Sequence, residues 1–201
     1  MRDVALATED ELSEVVGQKL VNDAGAGLTV TLRLRRGGSG YLKSRMRNFC
    51  ELAHQMPVLL LTDLDTAQCP MTLIGVWSRN NAIPDRLIFR VAVRQVESWL
   101  LADRESIANL LKVSLRLLPG NPDILPDAKR FLLQLAGKAP RRVRDELIVA
   151  RGATAAQGLG YNTFLSDFVR SRWNPSKAAM RSDSLNRARL RLAELAMQAG
   201  K

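Results

Sequence analysis

Histidine and cysteine are nearly missing from this chain, which has one His and two Cys in 201 residues. The usual tetrahedral zinc sites draw four ligands from those residue types, so they are excluded, and Ser-His chemistry has only His54 to work with. His54 lies inside a stretch of helical period with no acid or nucleophile beside it, which marks it as structural. Aromatic residues are scarce at 5%, and nowhere do eighteen apolar residues follow one another, so the sequence offers no membrane span. The opening run MRDVALATEDELSE places acids where a secretory leader carries basic and then apolar residues, and a cytoplasmic location is expected. Chemistry, if there is any, falls to carboxylates, lysines, arginines and hydroxyls.

What is present is apolar content enough for a good core, 46%, and an uneven excess of positive charge. Residues 1–125 hold 15 basic and 14 acidic residues, net +1, whereas residues 126–201 hold 15 and 6, net +9. A basic segment joined to a neutral one is suited to following a polyanion by counterion release, although an arginine-rich solvated helix surface has the same composition.

Period and punctuation divide the chain the same way. Asp3–Thr8, Leu28–Leu34, Val58–Leu61 and Leu87–Val93 read as strands, the third a continuous apolar run of the kind found inside a parallel sheet. Helical spacing follows each of them: Leu12 to Val21, Leu42 to Gln55 after the break at Gly37–Gly40, Met71 to Arg79, and Val96 to Val113. Four strand-helix alternations predict an α/β fold with a mainly parallel sheet flanked by helices. Beyond Pro119–Pro126 the pattern is helical throughout, over Ala128–Leu135, Val143–Ala150, Thr163–Trp173 and Leu185–Met197. The expected division is therefore an α/β domain over 1–118 and a basic, all-helical region over 126–201.

In open α/β sheets ligands bind beyond the carboxyl ends of the strands, and here those ends are acidic. Glu9, Asp10, Glu11 and Glu14 follow the first strand, Asp63-Leu64-Asp65 the third, Glu97 and Asp103 the fourth. Residues two apart at a strand end point to the same side, so Asp63 and Asp65 are able to face one site. Carboxylates crowded at one edge repel unless a cation neutralises them, and oxygen-only donors suit Mg²⁺ or Mn²⁺, with water and substrate phosphate completing the shell. Such a centre serves phosphodiester hydrolysis. Each acid also has a plainer use: Thr8-x-x-Glu11 fits a capping box, Asp10 complements the helix dipole, and Glu97 and Asp103 fit exposed helix positions.

These residues resemble a family. The Toprim pattern is a glutamate after the first strand, an Asp-x-Asp after the third and further acids after the fourth, and ATEDELSE, VLLLTDLD and VESWLLAD are similar to it through Glu9, Asp63, Asp65, Glu97 and Asp103. The similarity is to small bacterial Toprim-like proteins of unknown function encoded beside AAA or SMC-type ATPases, and it continues through DAKRFLLQL, YNTFLSDFVRSRW and SDSLNRARLRL. The resemblance implies a Toprim-like fold and an Mg²⁺-dependent (or Mn²⁺-dependent) nuclease acting on DNA or RNA, the effector of an ATPase partner in defence against phage and mobile elements. It also implies Glu9, Asp63, Asp65 and Glu97 as the catalytic set, with Glu9, Glu14, Asp63, Asp65 and Asp103 as metal ligands. The family spacing places a second acid four residues after the glutamate; Glu14 is five after Glu9 and four after Asp10, which leaves Glu9 and Asp10 as alternatives at the first strand.

For the polyanion grip the sequence offers Lys129, Arg130, Arg141, Arg142, Arg144, Arg187 and Arg191, the last two one helical turn apart. Tyr161, Phe164, Phe168 and Trp173 are spaced as a core stripe. Gly37–Ser44 lacks the Gly-Lys adjacency of a phosphate loop and reads as a flexible turn. Two other functions fit less of the pattern. One is a non-catalytic module with a Toprim-like shell that binds nucleic acid or an ATPase. The other is a haloacid dehalogenase-like phosphatase, for which VLLLTDLDTA is suited but the later acidic pair is missing.

Overall fold

The computed structural model describes residues 2–25, 27–149 and 157–199. Strand β1 (Arg2–Thr8) leads into helix α1 (Glu11–Asp23), then β2 (Leu28–Arg35), α2 (Gly38–Ser44), α3 (Met46–Gln55), β3 (Val58–Asp63), α4 (Pro70–Ser78) and β4 (Leu87–Ala92). The four strands form one parallel sheet in the order β2-β1-β3-β4, with Thr8 paired to Leu61 and Asp63 to Ala92. Both faces are covered. Val4, Leu6, Leu59, Leu61 and Ile88 point into one core, and Ala5, Ala7, Val58, Leu60 and Phe89 into the other, which is why the central strand is apolar at every position from Val58 to Leu61. Gly17 lets α1 sit close on β1: a Cβ there would lie 2.7 Å from a Leu6 methyl.

Two expected helices are divided, each by a side chain that bonds locally. The helix expected over Leu42–Gln55 begins earlier, where Gly37 and Gly38 take φ of 57° and 76°, and breaks at Arg45, beside the Ser44 hydroxyl that donates back to the Tyr41 carbonyl at 2.8 Å. The helix expected over Val96–Val113 is α5 (Val96–Ala102) and α6 (Arg104–Leu111), separated by Asp103, whose carboxylate caps α6. The capping box expected at Thr8 is also displaced. Thr8 is still strand, and the cap of α1 is Asp10, which accepts the Ser13 N–H at 2.8 Å.

The remaining chain forms α7 (Ala128–Ala136), α8 (Arg141–Leu147), α9 (Tyr161–Ser171), α10 (Pro175–Ala179) and α11 (Asp183–Ala199). The expected helix Val143–Ala150 corresponds to α8, with Ala150 outside the described residues; α10, five residues opened by Asn174-Pro175, was not foreseen. Residues 119–126 are a turn-rich connection, yet the regions on either side of it share one core: Trp99, Leu100 and Leu111 pack with Leu132, Tyr161, Leu165, Phe168, Trp173 and Leu192 on the α1 side of the sheet. Polar bonds fasten the junction. Trp99 Nε1 donates to Ser184 Oγ at 2.7 Å, Trp173 Nε1 to the Trp99 carbonyl at 3.1 Å, and Asp123 accepts from the Ser182 hydroxyl and the Ser184 N–H. Among the described residues no helix is long and apolar enough to cross a membrane.

Candidate functional site

The strand order places a topological switch between β1 and β3: the chain leaves β1 for β2 on one side, and leaves β3 for β4 on the other. Acids gather at that point. Glu9, the first residue after β1, lays its Oε1 across the end of β3, where it accepts from the Thr62 hydroxyl and, at 2.9 Å, from the Asp63 N–H. Asp63 ends β3 and accepts the Val96 N–H through Oδ1 at 2.9 Å, so it faces the start of α5. Glu97, the next residue of α5, is only 5% exposed and accepts from the Tyr161 hydroxyl through Oε1 at 2.8 Å. Asp65 follows in a left-handed conformation, φ 47°, and its loop is strapped to the end of β4: its N–H donates to the Arg94 carbonyl while Arg94 Nη1 donates to the carbonyls of Asp65 and Ala67.

The electrostatics report the same convergence. Burial lifts the Asp63 carboxyl well above the ordinary carboxylate range, and Glu97, Glu9, Asp65 and Asp10 each push it further. Burial also raises Glu9, with Asp65 and Asp10 adding and the bonds from Thr62 and Asp63 opposing. Glu97 is raised by burial against the opposing Tyr161 bond and the Lys129 charge. Asp65 is raised by partial burial. Between the alternatives at the first strand, Glu9 is the one that reaches β3, while Asp10 spends its carboxylate on the α1 cap.

Other acids proposed from the sequence lie elsewhere. Asp103 is fully buried and turned inward, with Oδ1 accepting from Ser106 N–H and Oδ2 from Asn174 N–H at 2.8 Å; its expected place among metal ligands is corrected to that of a helix cap. Glu14 reaches from α1 to Arg35 at the end of β2, 3.0 Å away, and lines a cavity of about 420 Å³ with Gln18, Arg33 and Arg170 instead of joining the cluster.

The basic tail residues are spread. Lys129 is beside the cluster, its Nζ 5.0 Å from the centroid of the Tyr161 ring. Arg130 and Arg142 are exposed, and Arg141 and Arg144 both pair with Asp145. Helix α11 starts near the carboxyl end of β4, where Ser184 receives Trp99, and runs toward the amino end, where Arg191 Nη2 donates to the Asp85 carbonyl at 2.8 Å. Arg191 is therefore at the opposite edge of the sheet from the acids, and Arg187, one turn before it, is paired with Asp183. Arg187 and Arg191, offered by the sequence for the polyanion grip, are thus carried away from the acidic edge by the direction of the helix.

The donor set is all oxygen, drawn from three strand ends, and among the described residues Glu9, Asp63 and Glu97 each accept hydrogen bonds through one carboxylate oxygen only. That chemistry fits a hard divalent ion that takes one or two carboxylates and fills its shell with water. It is not a ready-made cage: among the described residues no three Asp, Glu, His or Cys side chains are already gathered to hold a metal. Tyr161, which the spacing assigns to the core stripe, was missed as a site residue; the available signal was a hydroxyl in a stripe otherwise of Phe and Trp, since a buried phenol seeks a polar partner. Compared with protein-family models, with curated proteins and with solved structures, the chain matches none.

Proposed function

We propose that the chain is a metal-dependent nuclease of the Toprim-like kind, hydrolysing phosphodiester bonds of DNA or RNA with Mg²⁺ or Mn²⁺. The observation that carries this reading is the meeting of Glu9, Asp63, Asp65 and Glu97 at the β1/β3 switch point, with Glu9 bonded directly to the end of β3. Glu9, Asp63 and Asp65 would hold the ion and Glu97 would support them. When bound, such an ion activates water and stabilises the leaving oxygen. The protein's own part is to fix the carboxylates: the Asp63 N–H orients Glu9, the Val96 N–H orients Asp63, and Tyr161 orients Glu97. An ATPase partner and a role in phage defence rest on the family resemblance and belong to the same proposal, which places the chain in the cytoplasm.

The test is cleavage of plasmid DNA and of single-stranded RNA by purified protein in Mn²⁺ and Mg²⁺. Cleavage abolished by Asp63→Ala supports the reading; full Mn²⁺-dependent cleavage by Asp63→Ala overturns it. One observation favours a second reading, a binding module of the same fold: three of the carboxylates already have protein donors and no cage is preformed. Nucleic-acid binding that is indifferent to divalent ions would select it.

A further inference from the structure

Three side chains from three helices meet at the inner margin of the acidic cluster. Tyr161, the first residue of α9, is 1% exposed and donates to Oε1 of Glu97 on α5. Lys129, in the first turn of α7, holds its ammonium over the same ring, 5.0 Å from its centroid. The backbone N–H of Lys129 donates at 3.0 Å to Oε1 of Gln95, the residue immediately before α5. Packing alone does not call for this arrangement. Phe168 fills the core of the same helix without a hydroxyl, and a phenylalanine ring would fill the place of Tyr161 equally well. What the hydroxyl adds is a fixed direction for a buried carboxylate, the work done by outer-shell partners of metal-binding side chains.

Arg141, Arg187 and Arg191 are paired with acids, whereas Lys129, Arg130 and Arg142 make no ion pair among the described residues; of these three Lys129 is the one that is partly buried and whose charge reaches Glu97. A cation that no carboxylate holds in a direct ion pair, at the margin of a carboxylate cluster, is placed to receive a phosphate that the carboxylates would otherwise repel.

Resting on the metal-dependent reading of the site, we propose that the helical tail completes it: Tyr161 is a positioning residue that aims Glu97, and Lys129 is the cation that meets the substrate phosphate. The sheet supplies the acids and the tail sets their geometry, so the chain past residue 126 is part of the working site and not an appended grip.

Two titrations separate the roles. Mn²⁺ affinity is measured calorimetrically for the full chain and for Tyr161→Phe, Glu97→Gln and the double variant. Affinity for a labelled DNA oligonucleotide is measured by anisotropy, across salt concentrations and in Ca²⁺, for the full chain and for Lys129→Met. Tyr161→Phe is expected to weaken Mn²⁺ binding about tenfold, and to have no further effect once Glu97 is Gln. Lys129→Met is expected to leave Mn²⁺ affinity undiminished while weakening DNA binding and lowering the salt slope by about one. Unchanged Mn²⁺ affinity in Tyr161→Phe, or the same loss in the Glu97→Gln background, overturns the positioning role, and unchanged DNA affinity in Lys129→Met overturns the phosphate role. A wild-type chain that binds no Mn²⁺ overturns the metal-dependent reading, and this proposal with it. Wild-type binding that Tyr161→Phe does not alter overturns this proposal alone.

Discussion

The two charged regions of the molecule are built on opposite principles. Along the flank that α11 forms, its three arginines are answered: Arg187 by Asp183 at 2.8 Å, Arg191 by Glu194 at 2.9 Å and Arg189 by Asp23 at 3.2 Å. At the carboxyl edge of the sheet Glu9, Asp63, Asp65 and Glu97 are brought together, Glu9, Asp63 and Glu97 held by hydrogen-bond donors, with no ion pair among the described residues. The flank is a surface at rest, where exposed pairs contribute little and ask for nothing more. The edge holds like charges in partial burial, a cost that a fold has no structural reason to bear. Net charge is thus a poor guide to where this chain binds, because arginines counted in the last 76 residues, Arg141, Arg170 and Arg187 among them, already sit against acids. Charge left unanswered is the better guide.

The harshest way to break the comparison is to separate the regions at their junction. Trp99 is fully buried, donates to Ser184 at the head of α11 and accepts from Trp173 beyond α9. Trp99→Ala is expected to cost about 3–5 kcal/mol of stability, seen as a large fall in the urea midpoint. If the midpoint barely moves, the two regions do not share the core described here. Asp63→Ala removes the carboxylate on which the others converge, and with it the acceptor of the Val96 N–H. A fall in cleavage of about a hundredfold or more is expected, read from initial rates at saturating Mn²⁺.

How much of this was legible in the sequence depends on how far each feature reaches along the chain. The four strands and their parallel packing were readable because hydrophobic period is local, and VLLL followed by Asp-x-Asp announces both a buried strand and an acidic end. The break at Asp103 was not, because a carboxylate that caps a helix and an exposed helical carboxylate look alike until Asn174, 71 residues away, is known to bond it. The orientation of α11 was hidden for the same reason: helical spacing puts Arg187 and Arg191 on one face without saying which edge of the sheet that face approaches. Tyr161 had the right period for the core and is in the core; only its partner, 64 residues earlier, gives the hydroxyl a second task.

A gentler way to sharpen the contrast is pH. The carboxyls of Asp63, Glu9 and Glu97 are all raised, first by burial. The folded chain therefore keeps protons that the unfolded chain has already lost. Their contribution to stability is complete below the ordinary carboxylate range, near pH 4, and is lost as pH rises through the raised values. Without divalent ions the melting temperature should accordingly fall as pH climbs from about 4 toward neutrality. Asp63→Asn should flatten that fall, and saturating Mn²⁺ should offset it, since an ion that binds only the folded state stabilises it. A melting temperature that rises over the same interval would show that the cluster does not govern the acid side of the stability curve.

The smallest effect is expected from the flank, and that is what makes it informative. Reversing both charges in Arg187→Glu/Arg191→Glu removes two exposed pairs, Arg187–Asp183 and Arg191–Glu194, and sets acids beside acids. Exposed pairs of this kind contribute about 0–1 kcal/mol each, so the urea midpoint should shift only slightly. Nucleic-acid affinity at low salt should also hold, because α11 carries these residues toward the amino edge, where Arg191 is tied to the Asp85 carbonyl. Lys129, at the other edge, is the control: its neutralisation should lower the salt slope by about one, and the double reversal by less than that. A steeper loss from the arginines than from Lys129 would mean that the polyanion runs along β4 and α11 after all, and that ion pairs drawn tight in the free chain open to phosphate when it arrives.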